Sequence, residues 1–379
     1  MRLSLAITTL LSVASAAAGI ETSPGSLRGK KKPSSPSSNS LLSKHSAADR
    51  HTPSFNSTMK SSPLAVASEP WADDRPSKSK SKPKPERLAG SIVTIKKQVK
   101  KGNSSRHLSS QCIDTPNWVD SYGDGRDFPA QPNTSRLSPF LKFGEISPRQ
   151  VWWTAQNAKQ SNPNDAGSID KFLSEIGWRE FCNHLVAQFP AMPDRAFNPK
   201  FEYFPWQTHS ANLSAWQQGN TGYPIVDAGM RELWQTGFMH NRVRMVVASF
   251  LTKHLLTHWR EGELWFWDCL LDADLASNAC SWQWVGGSGA DASPYFQIFN
   301  PIAQGEKFDK AGAYTRRWVP ELAEMPDKYL YKPWEAPELT LRAAGVELGT
   351  NYPNPIVDHR TARESALEAY ATLKNVSMA

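Results

Sequence analysis

The chain has 379 residues, enough for one large domain or two ordinary ones, and a formal net charge of +7. The charge is uneven, because residues 1–110 carry 19 Lys or Arg against 6 Asp or Glu (net +13), which leaves 24 against 30 (net −6) for residues 111–379. The charge therefore gives no argument for nucleic-acid binding by the larger part, and four cysteines without a CxxC pair argue against a zinc site or a disulfide framework.

The chain begins with MRLSLAITTLLSVASAAAG, residues 1–19, which combines one basic residue, an apolar stretch and small residues suited to cleavage. This pattern predicts a signal peptide that is short for a membrane span, and hence secretory or organelle targeting. Residues 20–110 are rich in Ser, Pro and Lys, as in KSKSKPKPER, and cannot bury enough apolar surface to offset chain entropy. We expect residues 20–110 to be a disordered basic segment.

From residue 111 onward, aromatic and aliphatic residues recur at helical spacing, with few alternating β-branched runs. The segment 241–258, for example, places Val243, Val247 and Phe250 on one broad apolar face. Helices are predicted at residues 148–159, 168–188, 225–236, 241–258, 262–271 and 359–374. The sequence thus predicts one all-α domain over residues 111–379.

Polar side chains precede the first of these helices. Thr134, Ser135 and Ser138 place three hydroxyls around Arg136. Hydroxyls, free amides and an Arg at a helix start suit an anion or a phosphate group. A plain N-cap with Ser/Thr turns uses the same residue types, so both interpretations stay open.

A second polar cluster lies within the predicted helix 168–188. Glu175, Trp178 and Arg179 are three and four residues apart and share one helix face. An aromatic ring between an acid and a base suits stacking and hydrogen bonding to a flat heterocycle. A surface salt bridge beside a packed Trp is the alternative that these residues leave open.

The segment GFMHNRVRM, residues 237–245, brings Arg242 and Arg244 to the start of an apolar helix. Either that helix start is solvated, or a polar ligand binds there. Asp272 and Asp274 follow another apolar helix and could cap a helix or bind a metal ion. A buried pair between Arg244 and Asp272 costs desolvation unless other contacts offset it, so a pair that faces a bound cofactor is a coherent alternative.

These motifs, in this order and spacing, closely resemble the C-terminal flavin-binding domain of the photolyase/cryptochrome family, and most closely class I cyclobutane pyrimidine dimer photolyases. The resemblance runs almost without a gap from about Tyr122 to Tyr370. Individually the motifs are weak, but together they are specific. The resemblance implies a photolyase-type helical domain that holds FAD in a folded conformation, with UV-damaged DNA as its partner.

By resemblance, one set of residues would surround FAD. Its members are Tyr122, Thr134, Ser135, Arg136, Leu137, Ser138, Phe172, Asn241, Arg244, Asp272, Ala273, Asp274 and Asn278. Asn278 matches the position beside the reactive nitrogen of the flavin ring. Its neutral amide both donates and accepts hydrogen bonds, which is compatible with a reduced, anionic flavin.

A second set would contact the lesion and its DNA, again by resemblance. It comprises Arg126, Glu175, Trp178, Arg179, Asn241, Arg242, Met245, Trp284 and Gln304. Glu175 would hydrogen-bond a base of the dimer, while Trp178 and Trp284 would pack on the dimer once it has left the base stack.

Three tryptophans, Trp206, Trp259 and Trp282, match the electron-transfer triad of the family and form the predicted catalytic set together with Glu175 and Asn278. The resemblance implies a deoxyribodipyrimidine photo-lyase, a carbon–carbon lyase driven by light through reduced FAD. The reaction would need no metal ion, and the protein would supply geometry and electrostatics.

Two features depart from the family pattern. The usual N-terminal α/β antenna domain has no counterpart before residue 111, so we expect that no antenna chromophore binds. Gln297 stands where relatives generally have Arg. A cryptochrome-like blue-light signalling flavoprotein and a truncated, inactive photolyase fragment are the alternative interpretations.

The resemblance also bears on partners and compartment. We expect the domain to be a monomer without a membrane partner. The signal-like segment predicts secretory or organelle targeting, whereas the implied function suggests a nucleus or an organelle that contains DNA, and these expectations conflict.

Overall fold

The computed structural model describes residues 116–291 and 296–376, with side chains from residue 121 onward. Within these ranges every regular element is helical, which confirms the predicted all-α class, and one isolated bridge joins Leu348 and Tyr352. The predicted signal peptide and the predicted disordered segment lie outside the described residues. The three cysteines that are described, Cys182, Cys269 and Cys280, are free thiols.

The α-helices of the described residues are α1 (Pro116–Gly125), α2 (Ser138–Lys142), α3 (Pro148–Ser161), α4 (Ala166–Gln188), α5 (Ser210–Gln218), α6 (Pro224–Thr236), α7 (Asn241–Ser249), α8 (Trp259–Cys269), α9 (Leu275–Gly286), α10 (Pro301–Phe308), α11 (Ala313–Trp318), α12 (Asp327–Leu330), α13 (Glu338–Ala343) and α14 (His359–Thr372). Short 3-10 turns connect them at Pro163–Asp165, Pro199–Tyr203, Pro320–Leu322, Pro333–Glu335 and Leu373–Asn375.

Polar caps and a glycine define the ends of several of these helices. Ser147 and Gln150 form a reciprocal capping box at the start of α3, in which each side chain accepts the other residue's backbone N–H. Asp274 caps α9 by accepting the N–H of Ser277 at 2.9 Å. Gly287, with a φ of 96°, ends α9 in the left-handed conformation that glycine adopts without strain. Both ends of α9, which carries several predicted site residues, are therefore set by local chemistry.

The predicted helix 241–258 is wrong beyond residue 254. Helix α7 gives way to a π-helical turn over Phe250–His254. The N–H of Leu255 donates to the carbonyl of Phe250 at 3.1 Å, five residues back, which is the π-helical spacing. Leu256 then adopts a left-handed φ of 49°, and the helix stops. The apolar residues continue beyond this point because the segment is buried, so their pattern does not mark the end of the helix.

The predicted helix 262–271 begins and ends too late. Helix α8 starts at Trp259, because the Nδ1 of His258 accepts the N–H of Arg260 at 3.2 Å and caps it. The helix ends at Cys269, and Leu270 is already extended with a ψ of 133°. Leu270 is buried, so its apolar side chain resembles a continuation of the helical face.

The main hydrophobic core lies among α6, α7, α8 and α9. Trp216, Trp259 and Trp282 within it are almost inaccessible to solvent, and burial of a large aromatic side chain contributes on the order of 2–3 kcal/mol. Helices α1 and α4 pack together around a smaller core that contains Tyr122 and Phe172. Because α9 contacts both α4 and α7, it brings three of the predicted motifs together.

Candidate cofactor and DNA-binding site

An Arg–Asp pair links α7 to the segment that precedes α9. The Nη2 of Arg244 donates to both carboxylate oxygens of Asp272, at 2.8 and 3.1 Å, and its Nε donates to the carbonyl of Met239 at 2.7 Å. The Asp272 side chain is 4% exposed and the Arg244 side chain 26%. The arginine that the sequence places at this helix start is therefore held by two acceptors and is not freely solvated.

His240 caps the same helix with its ring. Its Nδ1 accepts the N–H of Arg242 at 3.2 Å, so the proton of the neutral ring is on Nε2. Desolvation lowers the pKa of His240 to about 4, and the buried Nε2 has no hydrogen-bond partner. Asn241, the next residue, is exposed. The start of α7 thus combines an unpartnered donor with an exposed amide.

Asp274 has two partners at the start of α9. It caps the helix through Ser277, and its Oδ2 lies 3.4 Å from the Nη1 of Arg179 on α4. Burial alone would raise the pKa of Asp274, but the hydrogen bonds from Ser277 and the charge of Arg179 lower it below its usual value. Capping, one of the two functions considered for this residue, is therefore present, and Asp274 also connects α4 with α9.

Asn278 lies in the first half of α9 and is 8% exposed. Its Nδ2 donates to the carbonyl of Glu263 on α8 at 2.9 Å, which fixes the orientation of the amide. The Glu263 side chain is also buried, and desolvation raises its pKa to about 7. Its Oε2 has no hydrogen-bond partner and lies 3.5 Å from the Nη1 of Arg260. The residue whose backbone carbonyl orients Asn278 therefore also carries a buried carboxyl with a raised pKa.

The predicted phosphate-binding run lies at the surface around a buried Leu137. Arg136 has a left-handed φ of 51°, and its guanidinium lies over the ring of Phe238 at 4.8 Å. The N–H of Leu137 donates to the Oγ of Ser135 at 3.4 Å, a local Ser turn, whereas α2 has no side-chain cap. Thr134 is half-buried and Ser138 exposed. The hydroxyls are thus accessible, and of the alternative left open, an N-cap with Ser/Thr turns, the Ser turn is present and the side-chain cap is not.

Tyr122 and Phe172 contact each other edge to face, with ring centroids 5.5 Å apart, and hold α1 against α4. Burial raises the pKa of the Tyr122 hydroxyl. Both side chains belong to the smaller core. The structure therefore places these two predicted cofactor residues side by side.

The predicted lesion residues on α4 have close partners. Glu175 forms an ion pair with Arg126, and Trp178 packs edge to face against Phe181 with ring centroids 5.5 Å apart. The Glu175 side chain is 38% exposed, so the carboxylate remains accessible. The salt bridge beside a packed Trp, which the sequence left open, is thus present, but Arg126, directly after α1, replaces Arg179 as its base.

The remaining predicted residues lie on α7, α9 and α10 or just before them. Met245, Ala273 and Trp284 are half-buried. The Oε1 of Gln304 is buried and has no hydrogen-bond partner. Gln297 is exposed.

The three predicted electron-transfer tryptophans differ in exposure. Trp282 and Trp259 are 2% and 1% exposed, whereas Trp206 is half-buried. The ring of His258 contacts both Trp206 and Trp259, with its centroid 5.0 Å from the first ring and 5.4 Å from the second. The series therefore runs from the interior towards solvent.

Sequence reasoning missed three residues that contact the predicted site. Glu263 fixes Asn278, Asp127 pairs with Arg242 at 2.8 Å, and the ring of Phe308 lies 4.3 Å from the Arg242 guanidinium. Asp127 directly follows a predicted DNA contact in the chain, which was the available signal. The other two offered none, because their roles depend on contacts between distant segments.

Buried polar atoms without partners are concentrated at this site. Within the described residues seven such side-chain atoms occur, and four of them belong to Arg179, His240, Arg242 and Gln304. Buried polar groups in folded proteins almost always have a partner. Their concentration here, beside the Arg244–Asp272 pair and an oriented Asn278, fits a large polar ligand.

Residues 116–291 and 296–376 contain neither a candidate metal-binding cluster nor a helix suited to span a membrane. No cluster of three or more His, Cys, Asp or Glu side chains is arranged to hold a metal ion. No helix of these ranges has both the length and the apolar character that a membrane span requires.

Comparison with known proteins gives a match between residues 172–372 and the family described as the FAD binding domain of DNA photolyase. The chain is 59% identical over 257 residues to the deoxyribodipyrimidine photo-lyase of Agrobacterium fabrum, covering 68% of this chain and 53% of that protein. It is 45% identical over 251 residues to cryptochrome-2 of Arabidopsis thaliana, covering 65% and 41%. The chain thus spans about half the length of the curated relatives it matches.

A solved structure supports the same assignment. The class III photolyase from Agrobacterium tumefaciens superposes with a TM-score of 0.69 at 56% identity, covering 72% of this chain and 56% of that one. The sequence motifs predict a class I enzyme, whereas this relative is of class III, so the class stays a prediction.

Proposed function

The chain belongs to the DNA photolyase and cryptochrome family, and from that premise we propose that it repairs cyclobutane pyrimidine dimers in DNA. Reduced FAD, when bound, would supply the light-driven electron transfer. The observation that carries the proposal is the buried Asn278, whose amide is oriented by the backbone carbonyl of Glu263. Asp272, six residues earlier in the chain, pairs with Arg244. The residues present fit a flavin, because the oriented Arg244 shares its helix start with His240 and Arg242, each of which has a buried polar atom without a partner.

Three groups of residues would bind the cofactor. Arg244, fixed by Asp272, presents an oriented cation, and Asn278 presents an oriented amide. The accessible hydroxyls of the 134–138 run would accept the phosphates, where Arg136 adds a positive charge. Rigid partners for each group reduce the entropy lost on binding.

Lesion binding would use the face formed by α4 and α9. Trp178 and Trp284 offer aromatic surface to a dimer turned out of the stack, and Glu175 offers a carboxylate that can accept a hydrogen bond from a base. Since Glu175 pairs with Arg126, part of its hydrogen-bonding capacity is already used, and a second acceptor lone pair remains for the base.

The tryptophan series would connect this interior to solvent. Trp206 is accessible enough to exchange electrons with a reductant, while Trp259 and Trp282 are shielded. This arrangement supports a route for reducing the cofactor before repair.

The test uses the full chain, loaded with FAD, reduced, and illuminated with blue light in the presence of a thymine-dimer oligonucleotide. Loss of the dimer in the light but not in a dark control is the expected result. Full FAD occupancy with no dimer loss would favour the second candidate, a blue-light signalling flavoprotein, which the similarity to cryptochromes supports. A chain that binds no FAD would contradict both.

A further inference from the structure

Four of the five arginines in the predicted cofactor and lesion sets pair with a carboxylate, and the fifth, Arg136, lies over the ring of Phe238. Arg126 pairs with Glu175, and the other pairs are Arg179–Asp274 at 3.4 Å, Arg242–Asp127 at 2.8 Å and Arg244–Asp272 at 2.8 Å. Four positive charges are therefore matched by four negative ones. A DNA phosphate that approaches one of these arginines must compete with a group of the protein itself.

Asp127 is, with Glu175, one of the two more exposed of these four carboxylates. It belongs to a turn after α1 that is closed by two hydrogen bonds, from the N–H of Phe128 to Gly125 and from the N–H of Gln131 to Phe128, both 3.1 Å. The first of these hydrogen bonds fixes the backbone of Asp127, and the carboxylate of Asp127 contacts the Nη2 of Arg242. The Asp127 side chain is 33% exposed, whereas those of Asp272 and Asp274 are 4% and 17% exposed.

The arginine is held from a second side as well. The Arg242 guanidinium lies over Phe308, with 4.3 Å between its central carbon and the ring centroid, and Phe128 packs against the same ring. Its Nη2 bonds Asp127, and its buried Nε has no partner. Asp127 and Phe308 therefore fix the cation, and Asp127 also neutralises it.

We propose that Asp127 is an intramolecular competitor that occupies Arg242 and lowers the affinity of this face for DNA phosphate. The inference rests on the proposed function and on the contact with DNA that the sequence resemblance implies for Arg242. Phosphate contacts supply affinity that does not depend on sequence or damage. A carboxylate that weakens one of these phosphate contacts lowers the affinity of the protein for undamaged and repaired DNA. The preference for damaged DNA then depends on the contacts with the lesion.

The test is fluorescence anisotropy with undamaged and thymine-dimer duplexes at several salt concentrations. Asp127→Asn keeps a hydrogen-bond acceptor but removes the charge, so both duplexes should bind about fivefold tighter at low salt. The slope of log affinity against log salt should steepen by about 0.9, the value for one additional phosphate contact. Asp327→Asn, at an Arg316–Asp327 pair of the same 2.8 Å distance, is the matched control and should change binding by less than about twofold.

Two further variants separate the possible failures. Arg242→Gln should weaken binding, and Asp127→Asn should then have almost no effect in the Arg242→Gln background. Asp127→Glu keeps the charge and should bind like the parent, which excludes a merely structural effect. If Arg242→Gln weakens binding but Asp127→Asn does not strengthen it, the inference is wrong while the proposed function stands. If Arg242→Gln changes nothing, or the chain binds no DNA, the assigned role of Arg242 fails and the inference fails with it.

Discussion

Replacing Asp272 with Asn tests whether the buried Arg244 pair holds the site together. The substitution removes the charge that both Arg244 hydrogen bonds use, and leaves a guanidinium that is only 26% exposed. Breaking a fully buried pair costs roughly 3–5 kcal/mol. Because Arg244 keeps some exposure and its bond to Met239, we expect the lower end, a loss of about 3 kcal/mol in the free energy of unfolding.

The assay is urea unfolding at pH 7, with Glu338→Gln as the matched control. Glu338 pairs with Arg342, but both side chains are about three-quarters exposed, at 76% and 75%. An exposed pair within one helix contributes only about 0.5 kcal/mol. The two acid-to-amide changes should therefore differ by about 2.5 kcal/mol. If both variants lost the same free energy of unfolding, the argument that burial makes the Arg244–Asp272 pair more stabilising than an exposed pair would be refuted. Gel filtration should also show that Asp272→Asn, unlike the control, releases FAD.

Three further substitutions have expected outcomes. Gly262→Ala places a methyl group inside the Trp282 ring, so it should cost about 1–3 kcal/mol in urea unfolding, whereas Gly177→Ala in an open helical position should not destabilise. Desolvation lowers the pKa of Lys253 from 10.5 to about 7, so Lys253→Met should stabilise the fold by up to about 4 kcal/mol at pH 7. Because the pKa of Lys253 is lower in the folded than in the unfolded protein, the free energy of unfolding of the parent increases as pH rises from 7 towards 10.5. The difference in stability between Lys253→Met and the parent should therefore be smaller at pH 9 than at pH 7. A difference that does not change with pH would contradict this prediction. Trp284→Ala should weaken thymine-dimer binding about tenfold in anisotropy without loss of FAD, and loss of flavin with unchanged lesion affinity would exclude the assigned contact.

Several site contacts could not be read from the sequence. The pairing of Asp127 with Arg242 joins residues far apart in the chain, and so does the bond from Asn278 to the carbonyl of Glu263. Neither contact leaves a local pattern, since an aspartate after a helix and a glutamate within one are common. The pairing of Arg242 with Asp127 and of Arg126 with Glu175 follows from contacts of this long-range kind.

The sequence by itself determined the all-α class, the family and the approximate position of the main helices. It did so because helical periodicity, capping residues such as Ser147 and motif order are properties of neighbouring residues. Only the tertiary structure decided where α7 becomes a π-helical turn at Phe250, since buried apolar residues continue on both sides of that change. It also decided which carboxylate pairs with which arginine. The paired side chains are distant in the sequence and come within a few ångströms of each other only when the chain folds.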